Sequence, residues 1–117
     1  MAALDTVQNY LDAARILLQD QVSPFRYANT DLVQNLNTAL LEARRIRPDL
    51  FLANSFTPPT YDAGAPSTSV DIDRMYRMSV VYYIVGMAQL RDDESTQDQR
   101  ATILLNKFVS QLLGVQS

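Results

Sequence analysis

Hydrophobic and polar positions alternate with helical periodicity in four stretches, and turn-forming residues separate them. Leu4, Val7, Leu11, Ala14 and Leu18 fall on one face of a first helix over residues 4–19, which Ile16 and Leu17 widen. Pro24 ends that segment, because its ring and missing N–H do not fit inside a helix. A second helix over residues 30–47 carries Leu32, Leu36, Leu40 and Ala43 in an i, i+4 row, with Val33 and Ala39 beside it. Asn29 is its expected N-cap, and Asp31 lies in the first turn. Arg44, Arg45 and Arg47 crowd the last turn, where the helix dipole favours cations, and Pro48 stops the helix.

The third predicted helix covers residues 71–91. Its run from Met78 to Leu90 is almost continuously apolar, as in a helix contacted on several sides. The segment Val80-Val81-Tyr82-Tyr83-Ile84-Val85 has strong β-propensity, so a strand is the alternative; length and the lack of turn residues favour the helix. Gly86 marks either a close helix–helix approach or a simple loss of stability. Met75, Met78 and Met87 read as gap-fillers in a packed helix. After an acidic turn, Asp92-Asp93-Glu94, with Ser95 or Thr96 as a cap, the fourth helix spans residues 96–113. Ala101, Leu104, Leu105, Phe108 and Leu112 form its stripe, and Gly114 ends it. The expectation is an all-α domain over residues 1–117. It is a four-helix antiparallel bundle with one long loop between the second and third helices.

That loop, residues 52–70, holds Pro58, Pro59, Gly64 and Pro66 among Ser, Thr and Ala. Structureless loops of this length are rare in compact domains unless they have a function. Phe56 and Tyr61 are too large to leave in a free linker, so the loop is expected to pack on something, a neighbouring subunit being one candidate.

Composition removes several functions. With no cysteine and no histidine, disulfides, thiol nucleophiles, the usual zinc sites and the commonest acid–base residue are excluded. No His-assisted nucleophile, Gly-rich phosphate loop or EF-hand spacing occurs, so no catalytic residue, cofactor or metal is assigned. Consecutive carboxylates at Asp92–Glu94 point apart and read as a solvated turn. The net charge is −3, with Lys107 the single lysine, and this does not make a broad phosphate-binding surface. No apolar run reaches the length of a membrane span, and residues 1–5 lack a signal-peptide pattern, so a cytoplasmic site of synthesis is expected.

Arg44, Arg45 and Arg47 are weighed as a phosphate grip, as inter-subunit salt bridges, or as a solvated helix end with Glu42 and Asp49 as partners; the last is preferred. Arg74 and Arg77 are expected to pair with Asp71 and Asp73 along their own helix. Tyr76, Tyr82 and Tyr83 read as core or interface residues rather than base-stacking platforms, because the sequence from Val80 to Gln89 interleaves no cation with them.

Several short motifs also carry a family resemblance. They are Leu17-Leu18-Gln19-Asp20, the aromatic and acidic turn Phe25-Arg26-Tyr27-Ala28-Asn29-Thr30-Asp31-Leu32, then Leu36-Asn37-Thr38-Ala39 and Arg47-Pro48-Asp49. The stretch from Thr6 to Asp49 resembles the head-to-tail adaptor (connector, or head-completion) proteins of tailed bacteriophages. Tyr82-Tyr83, Asp92–Glu94, Ala101, Phe108 and Leu112-Leu113-Gly114 extend the likeness more loosely. Many such proteins have a longer, strand-forming insert where this chain has only residues 52–70.

The resemblance implies a non-enzymatic virion protein in the neck between head and tail. It implies a homo-oligomeric ring, dodecameric by expectation, with the portal protein above and a tail or nozzle protein below. DNA would pass through the ring without sequence-specific binding. On that basis Phe56, Pro58, Pro59, Tyr61 and Asp62 of the loop, with Arg44, Arg45 and Arg47, are the expected subunit and portal contacts. The alternatives are a small helical protein-binding or regulatory module, or another neck or tail-completion protein.

Overall fold

The computed structural model describes residues 4–20, 27–54, 57–72, 74–90 and 98–114. Phe56, Asp73, the acidic turn Asp92–Glu94 and the expected caps Ser95 and Thr96 lie outside the described residues. The helices are α1 (Val7–Leu18), α2 (Asn29–Ile46), α3 (Arg77–Leu90) and α4 (Asp98–Leu113). They form an all-α, up-down-up-down antiparallel bundle, and no strand occurs among the described residues. Short 3₁₀ turns at Pro48–Asn54 and Arg74–Tyr76 flank the long connection.

Helix α3 packs on all three others and is the centre of the fold. Its β-branched run therefore forms a helix rather than a strand: Val80, Val81, Ile84 and Val85 are each fully buried between neighbouring helices. The close approach at Gly86 is real. A Cβ added there would lie 3.0 Å from Leu105 Cγ and 3.2 Å from the Ala101 carbonyl oxygen. Tyr83 packs its ring against Phe108 at 4.9 Å between centroids, continuing the α3–α4 seam. From α2, Leu32, Leu36, Leu40 and Ala43 enter the core as their periodicity predicts.

Helix boundaries differ from expectation where side chains compete for backbone groups. Thr6 caps α1 in a reciprocal box: its hydroxyl accepts from the Asn9 N–H, and Asn9 Oδ1 accepts from the Thr6 N–H at 2.9 Å. Leu4 and Asp5 therefore precede the helix. Ala28, not Asn29, is the N-cap residue of α2, and no side chain caps that end. Asn29 is the first helical residue, and its Oδ1 accepts instead from Arg15 Nη2. Asp71 and Ile72 are not helical, because the 3₁₀ turn begins only at Arg74. Met75 is no gap-filler: it is 79 % exposed on that turn, whereas Met78 and Met87 pack against the core.

Candidate functional site

The described part of the long connection packs on the chain's own body. From Pro48 the chain turns at Phe51, whose ring is buried, and then runs down the outside of α2 as a strap over residues 57–72. Asn37 holds the strap by both faces of its amide. Its Nδ2 donates to the Tyr61 carbonyl at 2.9 Å, and its Oδ1 accepts the Tyr61 N–H at 2.8 Å. The Tyr61 ring is buried beneath the strap, where its hydroxyl accepts the Asp71 N–H at 2.6 Å. A large aromatic in a Pro-rich loop was thus a sound signal of packing, but the packing is against the chain's own body.

The strap then turns at Asp62, whose Oδ1 accepts the Gly64 N–H at 2.9 Å, and returns across the start of α1. There the Thr68 and Pro66 carbonyls accept the N–H groups of Val7 and Gln8, and Val70 N–H donates to the Asp5 carbonyl. Two of the amides that every helix leaves unpaired at its N-terminus are satisfied by this crossing. Val70 and Ile72 anchor the return in the core, whereas residues 64–69 face solvent.

Between strap and helix lies an open groove of about 390 Å³. Thr30, Val33, Gln34 and Asn37 of α2 form one wall, and the Thr60–Ala63 turn forms the other. Asp62 is exposed at its rim; Pro58 and Pro59, just before it, are half-buried.

The arginines at the end of α2 do not form one cationic cluster. Arg45 donates from Nε and Nη2 to Glu42 Oε2, at 3.0 and 2.9 Å. Arg47 is bidentate with Asp49, at 2.9 and 2.8 Å, and its Nη1 donates to the Leu112 carbonyl at 2.6 Å. This guanidinium also lies 5.8 Å from the Tyr76 ring centroid. Its hydrogen bonds hold the Asp49 carboxyl below the usual carboxylate range. Arg47 therefore joins the ends of α2 and α4 within one chain, and Arg44 is exposed. The partners foreseen for Arg45 and Arg47, Glu42 and Asp49, are those observed.

Two features escaped the sequence pattern. Among the described residues Arg77 pairs with Asp5, at 2.6 Å, rather than along its own helix, and donates to the Leu4 and Ile72 carbonyls. Arg15 is buried in the last turn of α1, where it joins Asp20 at 2.7 Å, the Tyr27 carbonyl at 2.9 Å and Asn29. Cations also reach the tyrosines from elsewhere in the fold, with Lys107 of α4 lying 5.4 Å from the Tyr82 ring centroid.

Among the described residues no group of three or more acidic side chains converges as a metal site. No helix among them is long and apolar enough to cross a membrane. No family model, curated protein or solved structure matches this chain.

Proposed function

We propose that this chain is a structural subunit of a tailed-phage neck, assembling as a ring between portal and tail through which DNA passes. The reading rests first on the motif resemblance. The observation that carries it further is the joint between α1 and α2. Asp20, Tyr27 and Asn29 come from two separate motifs of that resemblance, yet all meet on Arg15. Short motifs that build one joint are stronger support than the same motifs scattered over a surface.

The fold supplies what a ring subunit needs: a helical body and a surface element, the strap, fixed to it at Tyr61 and Val70. On this reading Pro58, Pro59 and Asp62 make contact from the outer side of the strap, and Arg44 and Arg45 contact a neighbour or the portal. Arg47 is already engaged within its own chain. A net charge of −3, repeated around a ring, would keep a DNA channel weakly repulsive to phosphate.

A second reading, a helical protein-binding module, draws on the outward face of α4, where Ile103, Val109 and Leu113 are exposed. Electron microscopy of the particle that contains this chain, with mass spectrometry of the same purified sample, separates the two. A symmetric ring of copies at the portal–tail junction is the expected result. A chain found only outside particles, free or in a small complex, leaves the binding module.

A further inference from the structure

The outer lane of α2 is unusual in its order. Asp31, Gln34, Thr38, Leu41 and Arg45 follow one another at i, i+3, i+7, i+10 and i+14, a single stripe along the helix surface. Four of the five are exposed and Thr38 is half-buried. The strap and its groove lie to one side of this lane and leave it open. One acid stands at its N-terminal end and one base at its C-terminal end, about 21 Å apart along the axis, with uncharged residues between them in the lane. The base, Arg45, holds Glu42 of its own chain through Nε and Nη2 and keeps Nη1 for a second carboxylate. Leu41 is 59 % exposed in the upper half.

We infer that this lane pairs with the same lane of a second copy, antiparallel, about a two-fold axis at Thr38. Charge complementarity selects both the partner and the direction. Antiparallel alignment sets Asp31 against the second copy's Arg45 and Arg45 against its Asp31, whereas parallel alignment sets like against like. It also opposes the two helix dipoles. In this register Leu41 of each copy falls within about 1.5 Å, along the axis, of Gln34 of the other, at the mouth of the groove that Val33 and Ala63 help to line. The most exposed aliphatic side chain of α2 and the groove beside it thus fill one another twice over. Gln34 at the mouth of the groove lies about 10 Å along α2 from Leu41 of the same copy, so a copy cannot fill its own groove. A contact made once is made again by symmetry. The contact closes on itself and describes the free chain, so it does not rest on the ring reading, which is tested on the particle.

The test is sedimentation of the purified chain across a concentration series, with circular dichroism as the control for folding. The wild-type chain is expected to approach twice the monomer mass. Arg45→Glu and Asp31→Arg are each expected to weaken pairing by about tenfold, and the double charge swap to restore it. Because the chain has no cysteine, Thr38→Cys adds a single thiol on the proposed axis. Oxidation is expected to link it into disulfide dimers, while Ile103→Cys, exposed on α4, remains monomeric. A chain that stays monomeric at every concentration overturns the inference. So do failure of the double swap to rescue, equal cross-linking at positions 38 and 103, and growth beyond a pair.

Discussion

Arg15 Nη1 lies 2.7 Å from Asp20 Oδ2, and the two side chains are only 6 % and 7 % exposed. The same carboxylate oxygen accepts the Tyr27 N–H at 3.0 Å, so one buried pair ties the end of α1 to the start of α2. Asp20→Ala is expected to cost about 3–5 kcal/mol, because it strands a buried guanidinium and a backbone N–H together. Replacing both residues by apolar ones of similar size is expected to cost less than the single change. Urea unfolding of the single and double variants measures the difference.

This pair also shows where sequence reasoning stops. The stripe of α2 was legible because Leu32, Leu36, Leu40 and Ala43 repeat locally and Pro48 closes the pattern. The helical state of α3 was legible from length, despite its β-branched residues. Arg15 looks like any surface arginine, because its partners Asp20, the Tyr27 carbonyl and Asn29 are gathered on it only by the fold. Arg77 offered nearby acids in sequence, but the strap and the start of α1 bring Asp5 to it across 72 positions. Tyr61 was correctly marked as a packing residue, but nothing local indicated that Asn37 was its partner rather than another subunit. Local periodicity records which face is buried; it does not record which distant polar group completes a buried charge.

Tyr10 is fully buried, and its hydroxyl finds no hydrogen-bond partner among the described residues. Tyr10→Phe is therefore expected to leave stability at neutral pH unchanged or raise it by about 1 kcal/mol. The pH profile provides a second readout. Burial pushes the phenols of Tyr10, Tyr61 and Tyr83 above their ordinary value of 10.0. The folded chain keeps these protons while the unfolded chain releases them, so this contribution is complete below about pH 10 and is lost as pH rises toward the elevated values. Alkaline denaturation of the wild type should steepen above that point, and Tyr10→Phe should flatten it.

Gly86→Ala opposes two effects. Alanine favours the helix by about 1 kcal/mol, but its Cβ would meet Leu105 at 3.0 Å and the Ala101 carbonyl at 3.2 Å. The side chain can yield, whereas the backbone oxygen yields only if α4 moves away. Overpacking of this kind costs about 1–3 kcal/mol, so a net loss is expected. A double-mutant cycle with Leu105→Ala should show a combined loss smaller than the sum of the two, since the deletion opens the space that the new methyl needs.

Asn37→Ala removes both hydrogen bonds that hold the Tyr61 backbone to α2. Losing this lock is expected to lower the cost of local opening by about 1–3 kcal/mol without melting the helices. Amide exchange should accelerate at Tyr61 and at Asp71, whose N–H donates to the Tyr61 hydroxyl. Amides of α3 should keep their protection. Equal acceleration throughout would mean that the strap is part of the global folding unit rather than a separately opening layer.

Arg47 separates an intrachain role from an assembly role. Its guanidinium spans Asp49 and the Leu112 carbonyl at the C-terminal end of α4, with Tyr76 beside it. Those three donors lie in one plane, and an ammonium cannot reproduce that fork. Arg47→Lys is therefore expected to lower the thermal midpoint of the isolated chain nearly as much as Arg47→Ala. The last turn of α4 should lose amide protection first, because the carbonyl at Leu112 loses its donor. Arg45→Lys, at a side chain 70 % exposed, should leave the midpoint unchanged. An Arg47 that served only a neighbouring subunit would give the opposite result: an isolated chain indifferent to either substitution and a defect visible only in the assembled particle.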